Sequence, residues 1–355
     1  MKSTMPHQSI PPAHHEDWML GPFVREDALN PCLGPRAASR FFCPIRGSEV
    51  DWEAKDVFNP AAVVRDGVVY LLYRAEDTVG RFAGTSRIGL AKSSDGRRFT
   101  RHPQPVLFPD HDAMTMYEWE GGCEDPRVVE AEDGRYVMTY TAFDGQLARL
   151  AVATSRDLVQ WQKHGLVFGA TEGGRYANVW SKSGAIVCRQ EDDRLIATRI
   201  AGCYWMYWGE LNLSLATSDD LLNWDVVYAS GSTSELHVVF GPRTGQFDSE
   251  LVEPGPPAVL REQGIVLLYN NKNSGQFGDP ALPANTYAPA QVLLDPHDPR
   301  VVLRRSTAPF MIPERSYEIT GQIGDVCFVE GLVPFGDEWL LYYGTADSFI
   351  AVASA

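Results

Sequence analysis

The chain has 355 residues and a formal net charge of −15, with 31 basic and 46 acidic residues. This acidic balance argues against nucleic acid and against an anionic membrane surface as partners, because both need a basic footprint on the protein. The apolar fraction of 44% supplies material for a core, and without an apolar run of about 18 residues no membrane-spanning helix is predicted.

The first residues of the chain lead into prolines and histidines rather than into an apolar signal segment, so we expect a cytoplasmic protein. Residues 1–50 are rich in Pro, His and Arg and have no clean hydrophobic period. They predict an irregular N-terminal arm or lead-in. We expect residues 51–355 to form one domain.

The cysteines lie far apart and form no Cys-x-x-Cys pair, so neither a zinc site nor a disulfide framework is predicted. They are Cys32, Cys43, Cys123, Cys188, Cys203 and Cys327. We expect reduced, mostly buried thiols and a protein that needs no metal and no other cofactor.

A repeated unit begins near residue 58. Each copy has an apolar segment, a turn and a second apolar strand, and these second strands end at Tyr73, Tyr140, Arg199, Tyr269 and Tyr343. The ends are spaced by roughly 60–75 residues, which is typical of propeller blades. In the first three copies a third strand follows and runs through a Ser- and Asp-containing turn to Phe99, Trp161 and Trp224.

These repeats predict an all-β fold, a five-bladed β-propeller. The runs are β-branched and aromatic, they are bounded by Gly, Asp and Asn, and no helical period competes with them. Two β-sandwiches in tandem are the alternative, but a domain boundary should then interrupt the spacing, and none does. In a propeller the innermost strands converge on one axis, so the residues that open the repeats should share one funnel.

The run Glu124-Asp125-Pro126-Arg127 is too polar for a core strand, although an apolar strand follows it. Pro126 fixes its own φ and is expected to hold Asp125 in an extended conformation, so that the carboxylate points in a defined direction. A turn stapled by a Glu–Arg pair is the alternative, since Asp-Pro is common in turns. Cys123 has no histidine near it in sequence, which disfavours a nucleophilic role.

Polar residues also open the other repeats, and they vary from copy to copy as a ligand site would. They are Asn59, Arg74, Glu76, Asp77, Arg87, Glu124, Asp125, Arg127, Asn178, Lys182, Glu210, Glu253 and Asp347. Each one alone could be a surface charge or a charge between blades. Aromatic residues accompany them, namely Trp180, Tyr204, Trp205, Tyr207 and Trp208. Flat apolar faces beside carboxylates, amides and guanidinium groups suit a sugar.

Several ordered motifs resemble glycoside hydrolase family 130, and the resemblance extends from residue 56 to the C-terminus. The motifs are Asn59-Pro60, Tyr73-Arg74-Ala75-Glu76-Asp77, Ser86-Arg87-Ile88-Gly89-Leu90-Ala91, Glu124-Asp125-Pro126-Arg127, Tyr140-Thr141-Ala142 and Tyr343-Gly344-Thr345-Ala346-Asp347. The resemblance implies a five-bladed propeller that acts on β-mannosides with inversion, as a phosphorylase or a hydrolase. It also implies that Asp125 is the catalytic acid, which delivers its proton through a sugar hydroxyl.

Glu210 and Glu253 resemble the glutamates that activate water in the hydrolase branch of that family. Two carboxylates where a phosphate dianion should lie would disfavour phosphate by several kcal/mol in a poorly solvated funnel. Lys182 and Arg199 are the counter-evidence, because these cations could still bind phosphate. A turn-capping role for Glu250 or Glu253 is also open.

We therefore expect an inverting glycosidase that cleaves β-mannosidic, most simply β-1,2-linked, bonds of manno-oligosaccharides. Asp125 is the expected acid, and Glu210 and Glu253 position and deprotonate water. The expected substrate-binding residues are Asn59, Arg74, Asp77, Arg87, Glu124, Arg127, Asn178, Lys182, Tyr207 and Asp347. A β-mannoside phosphorylase, with inorganic phosphate as co-substrate, and a non-catalytic sugar-binding propeller are the alternatives. The sequence leaves a homo-oligomer open.

Overall fold

The computed structural model describes residues 15–82 and 84–355, and its regular structure is almost entirely β-strand. The lead-in contributes β1 (Val24–Arg25), β2 (Arg40–Cys43) and β3 (Ser48–Asp51). The first two repeats contribute β4 (Asp56–Arg65), β5 (Val68–Glu76), β6 (Ser86–Ser93), β7 (Thr100–Arg101), helix α1 (Thr115–Glu118), β8 (Gly122–Glu130), β9 (Tyr136–Phe143), β10 (Ala148–Ser155) and β11 (Gln162–Leu166).

The remaining elements follow the same order along the chain. After a short 3₁₀ helix (Thr171–Gly174) come β12 (Ala185–Glu191), β13 (Arg194–Ala197), β14 (Arg199–Ile200), β15 (Cys203–Trp208), β16 (Leu213–Ser218), β17 (Asp225–Val226) and β18 (Val238–Phe240). The last two repeats contain β19 (Leu251–Pro254), β20 (Ala258–Arg261), β21 (Gly264–Lys272), β22 (Ala290–Leu294), β23 (Val302–Arg305), helix α2 (Ser316–Ile319), β24 (Cys327–Phe335), β25 (Glu338–Thr345) and β26 (Phe349–Ser354).

The strands of each repeat pair antiparallel with their chain neighbours. One group is β4-β5-β6-β7, the next is β8-β9-β10-β11, and the third is built on β12, β15, β16 and β17. The fourth runs from β19 and β20 through β21 and β22 to β23, and the fifth is β24-β25-β26-β1. Short parallel pairings join neighbouring groups, as between Ser86 and Gly122.

The lead-in is more integrated than an irregular arm. Val24 pairs with Ser354 on β26, so β1 covers the outer edge of the last group. Trp18, Met19 and Leu20 are buried in a core cluster with residues of several repeats. The apolar Trp-Met-Leu run explains this docking, because it removes three large side chains from water. The first part of the predicted arm, residues 1–14, lies outside the described residues.

The third repeat differs from the sequence interpretation. Arg199 lies on the two-residue strand β14 and is exposed. The position of Tyr73 on β5 is taken instead by Tyr207 on β15, which pairs with β12 on one side and β16 on the other. The extra strands β13 and β14 lie between β12 and β15 in the chain. The expectation that the second strand of this repeat ends at Arg199 is therefore wrong, and β15 is that strand.

A buried carboxylate recurs beside the tyrosine of four groups. The tyrosine hydroxyl donates to it in the pairs Tyr73–Glu53, Tyr140–Glu118, Tyr269–Asp248 and Tyr343–Glu318. A cation from the last strand of the same group completes each arrangement, namely Arg101, Lys163, Arg305 and Arg25. Pairing and hydrogen bonding offset the cost of burying each charge. The third group lacks the carboxylate, and Tyr207 donates to the Pro299 carbonyl oxygen.

All six cysteines are free thiols. Among the described residues, no helix is both long enough and apolar enough to cross a membrane.

Candidate active site

A cavity of about 180 Å³ lies where the first strands of the repeats approach one another. It is lined by Phe58, Asn59, Arg74, Asp125, Lys182, Glu210, Glu253, Tyr287, Ile323, Val326, Phe328 and Asp347. The lining therefore combines residues from all five strand groups or their adjoining loops. Seven of the residues singled out from sequence meet here: Asn59, Arg74, Asp125, Lys182, Glu210, Glu253 and Asp347.

Two β-bulges aim the first pair of polar side chains. The register of β4 shifts between Phe58 and Pro60, and that of β8 shifts between Glu124 and Arg127. Asn59 and Asp125, each directly before a proline, adopt positive φ values of 46° and 48°. The expectation of an extended Asp125 is thus wrong: the bulge holds the residue in the left-handed region, at a cost of about 1–3 kcal/mol.

The Asp125 carboxylate is almost completely buried and surrounded by donors. Asn59 Nδ2 donates to Oδ1 at 3.0 Å and Arg74 Nη1 donates to the same oxygen at 3.2 Å. Lys182 Nζ lies 3.7 Å from Oδ2. Burial disfavours the charge, but the Arg74 guanidinium and the Lys182 ammonium outweigh it and hold the pKa of Asp125 well below its ordinary value.

A glycine makes room for this arrangement. A Cβ atom on Gly344 would overlap Asn59 Oδ1, because the two atoms would lie closer than any real contact. The Gly344 of the Tyr343-Gly344-Thr345 motif therefore allows the Asn59 amide to reach Asp125.

Glu253 is also buried, and it shares a cation with Asp125. Lys182 Nζ lies 3.5 Å from Glu253 Oε1, and the Ser183 hydroxyl donates to the same oxygen. Burial raises the pKa of Glu253, and the Lys182 ammonium opposes the increase. A carboxylate with a raised pKa is a stronger base than an ordinary one, which suits proton removal from water.

Glu210 lies in the loop between β15 and β16 of the third group and is more exposed than Glu253. Its Oε2 accepts a hydrogen bond of 2.8 Å from the Trp180 indole Nε1. The backbone next to it is fixed as well, because the Gly209 amide donates to the Lys182 carbonyl oxygen at 3.0 Å. Burial alone would lower the pKa of Lys182, but the negative charges of Glu253, Asp125 and Glu210 raise it, Glu253 most strongly.

Arg127 does not line the cavity but connects the backbones beside it. Its guanidinium donates to the carbonyl oxygens of Gly255 and Pro254, each at 2.7 Å, and to that of Asp125 at 3.2 Å. Glu330 Oε1 lies 3.0 Å from Arg127 Nη2. Arg127 therefore joins the chain at the expected acid to the chain that follows Glu253.

Glu330 stands at the bulge of β24 between Val329 and Gly331 and is fully buried. Neither of its carboxylate oxygens receives a well-aligned hydrogen bond. Burial raises the pKa of Glu330 well above its ordinary value, against the opposing charge of Arg127. The sequence offered one signal for it, a single acidic residue inside the apolar run of the fifth repeat.

Two further carboxyl groups hold their protons more tightly than usual. Burial raises the pKa of Asp347 to about 7, although Arg74 favours its charged form. Burial likewise raises the pKa of Glu124 to about 7, and Arg74 Nη2 lies 2.9 Å from Glu124 Oε1. Glu124 is therefore a partner of Arg74 next to the cavity rather than part of its lining.

The other predicted binding residues lie outside the cavity lining. Asp77 and Arg87 form a buried ion pair at 2.8 Å, and Asp77 also accepts backbone amides of its own loop. Asn178 accepts a hydrogen bond from Arg149 on the exposed surface. Tyr207 is a correction: its ring is buried in a core cluster and its hydroxyl is bonded to Pro299, so it faces the core.

The lining contains residues that the sequence interpretation missed. They are Phe58, Tyr287, Ile323, Val326 and Phe328. Tyr287 and Ile323 lie outside the strands, where the repeat pattern gives no position. Ser183, which donates to Glu253, was also missed.

The comparisons with known proteins identify the family of the chain. The profile of glycoside hydrolase family 130, described as beta-1,4-mannooligosaccharide phosphorylase, matches residues 41–355. A 1,2-beta-oligomannan phosphorylase from Thermoanaerobacter sp. (strain X514) is 31% identical over 314 residues, which cover 86% of this chain and 92% of the relative.

Two solved structures are more similar in sequence. A glycosyl hydrolase from Bacteroides ovatus is 43% identical with a TM-score of 0.93, covering 97% of this chain and 96% of that chain. A second structure, with 44% identity, a TM-score of 0.94 and the same coverage, comes from work stating that the GH130 family of mannoside phosphorylases contains glycoside hydrolases that target β-1,2 mannosidic linkages in Candida mannan. The family profile spans most of the chain, and the chain belongs to glycoside hydrolase family 130.

Proposed function

We propose that this family 130 enzyme, which acts on mannosides, is an inverting β-mannosidase that hydrolyses β-1,2-linked manno-oligosaccharides. One observation carries the proposal: the cavity lining holds the carboxyl groups of Asp125, Glu210, Glu253 and Asp347 but only two cations, Arg74 and Lys182. Both cations already lie within 4 Å of a carboxylate. A phosphate dianion would therefore meet net repulsion there, whereas a water molecule would find acceptors for its protons.

In this mechanism Glu253 and Glu210 hold and deprotonate the attacking water, and Asp125 supplies the acid on the leaving side. The cations keep Asp125 ionised in the free protein, so it must gain a proton when substrate binds. A sugar hydroxyl that displaces the Lys182 contact would raise the pKa of Asp125 in that direction. The same hydroxyl can give its own proton to the leaving oxygen and receive the proton of Asp125 in exchange.

Phosphorolysis is the second candidate, with inorganic phosphate as co-substrate. The family profile is described as a phosphorylase, and the relative from Thermoanaerobacter is named as one. These comparisons support phosphorolysis more directly than hydrolysis. Lys182 in the cavity is the residue that would receive the phosphate. A merely sugar-binding role has less support, because the chain belongs to an enzyme family. Hydrolysis needs neither metal nor other cofactor.

We also infer that the five antiparallel strand groups are the blades of one five-bladed propeller. The equivalent Tyr–carboxylate–cation arrangement in four of them supports blades of common design. The cavity at the first strands of all groups is where a propeller funnel would lie.

The deciding experiment is incubation of the purified protein with β-1,2-mannobiose, with and without phosphate. We expect mannose in both reactions at the same rate, released first as the α-anomer. Mannose 1-phosphate as the main product with phosphate would overturn the hydrolase proposal in favour of phosphorolysis. The Asp125→Asn variant, prepared in parallel, controls for a contaminating mannosidase.

A further inference from the structure

Trp180 is a large aromatic residue that remains exposed next to the candidate active site. Its exposed fraction is 46%, yet its indole Nε1 donates a 2.8 Å hydrogen bond to Glu210 Oε2. Glu210 belongs to the cavity lining and Trp180 does not. The indole thus stands outside the cavity and is bonded to one of its carboxylates.

The segment from Trp180 to Ser183 contacts all three candidate catalytic carboxylates. Trp180 donates to Glu210, Lys182 lies between Asp125 and Glu253, and Ser183 donates to Glu253. One short segment therefore contacts the expected acid and both glutamates.

Backbone contacts hold this segment in place. The Ser181 amide donates to the Ala148 carbonyl oxygen, and the Ser181 hydroxyl accepts from the Leu150 amide, each at 3.0 Å. The Lys182 carbonyl oxygen accepts from the Gly209 amide, next to Glu210. Trp180 is consequently presented from an anchored backbone rather than from a free loop.

We propose that Trp180 is a positioning residue that fixes the Glu210 carboxylate and whose exposed ring face receives a sugar unit of the substrate outside the cavity. This inference rests on the proposed function, in which Glu210 holds the attacking water. A hydrogen bond to a carboxylate is strong and directional, so it restricts rotation of a side chain that would otherwise move in solvent. The indole ring combines this polar edge with a flat apolar face that suits the C–H face of a sugar.

The test separates the polar edge of the ring from its apolar face. Trp180→Phe keeps a flat apolar face and loses the N–H, so we expect kcat to fall about tenfold while KM changes less than about twofold. Trp180→Ala loses both features, so we expect the same fall in kcat together with a higher KM. Trp205→Phe is the matched control, because that indole donates to the Ile200 carbonyl oxygen away from the cavity; its kinetics should match those of the wild type.

A double-mutant cycle with Glu210→Gln decides whether Trp180 acts through Glu210. We expect Glu210→Gln to lower kcat strongly and Trp180→Phe to add little in that background. If Glu210→Gln lowers kcat and Trp180→Phe lowers it by its full factor again in that background, the positioning role alone would be overturned. Unchanged kcat in Glu210→Gln would overturn the proposed role of Glu210 and this inference with it. A lower melting temperature for Trp180→Phe with wild-type kcat would mark a purely structural contact and overturn the positioning role.

Discussion

The Lys182 ammonium lies 3.5 Å from Glu253 Oε1 and 3.7 Å from Asp125 Oδ2, so one cation serves the expected base and the expected acid. It lowers the pKa of both carboxyl groups relative to burial alone. The charge of Lys182 therefore influences the protonation of both the expected acid and the expected base.

Removing this charge should change the pH dependence of turnover. In Lys182→Met the pKa of Glu253 loses its main opposing influence and rises, so the base is protonated at a higher pH. We expect the acidic limb of the kcat/KM profile to move to higher pH, measured on β-1,2-mannobiose. Lys92→Met, at an exposed position, should leave the profile in place. An unmoved acidic limb in Lys182→Met would show that Glu253 is not the titrating base.

Asp125→Asn should remove turnover and leave the fold intact. The amide has almost the shape of the carboxylate but cannot serve as an acid, and we expect kcat to fall by about 10²–10⁴-fold. Calorimetry with β-1,2-mannobiose should still detect binding, and the melting temperature should stay within a few degrees. Glu262→Gln on the exposed surface is the control. Activity retained by the Asp125→Asn variant would refute the assignment of the acid.

Asp347 should make the protein less stable as pH rises towards neutrality. Its pKa in the folded protein is about 7, above the ordinary value of 3.8. The folded state therefore binds more protons than the unfolded state between these values, and its stability falls as pH rises through that window. In Asp347→Asn this decline should be smaller by on the order of 1–4 kcal/mol.

Urea unfolding between about pH 4 and 7 measures this difference, because the unfolded and folded pKa values of Asp347 bound that window. The exposed Asp66→Asn variant should follow the wild-type curve. Parallel curves for wild type and Asp347→Asn would contradict the raised pKa. Glu124, with a pKa also raised to about 7, contributes a decline that both proteins share.

Arg127 should be required for folding stability rather than for direct contact with substrate. Arg127→Ala leaves three backbone carbonyl groups and Glu330 without their cation, and we expect a loss of about 3–5 kcal/mol. Arg127→Lys keeps the charge but lacks the planar fork, so an intermediate loss is expected. Arg189→Ala, which breaks a partly exposed ion pair with Glu191, should cost at most about 1 kcal/mol. Equal losses for Arg127→Ala and Arg189→Ala in urea unfolding would contradict this role of Arg127.

The recurring tyrosines should differ in what their hydroxyl groups contribute. Tyr343→Phe removes a donor from the buried Glu318, a hydrogen bond to a charged group worth about 1.5–3 kcal/mol. Tyr207→Phe removes a bond to a neutral carbonyl oxygen, worth about 1 kcal/mol. Urea unfolding should therefore rank Tyr343→Phe as the more destabilised variant. The reverse order would contradict the stronger hydrogen bond expected between Tyr343 and Glu318.

Much of the β-architecture was predictable, because it follows from local patterns. Apolar β-branched runs separated by turn residues marked most strands, and the repeated tyrosines marked the second strand of four groups. The third group broke the pattern, since two extra strands separate β12 from β15. The burial of Trp18 to Leu20 could not be predicted either, because it depends on contacts far along the chain, such as the hydrogen bonds between the Leu20 backbone and Gln291 on β22.

The sequence by itself determined the all-β repeats, the family and seven of the residues that line the cavity, because these depend on residue type and spacing. Only the tertiary structure decided how the charges act. It brought Lys182 between Asp125 and Glu253, moved Tyr207 into the core, and joined Trp180 to Glu210 and Arg127 to Glu330. A pKa or an orientation depends on distances of a few ångströms between residues far apart in the chain, and spacing along the sequence does not contain those distances.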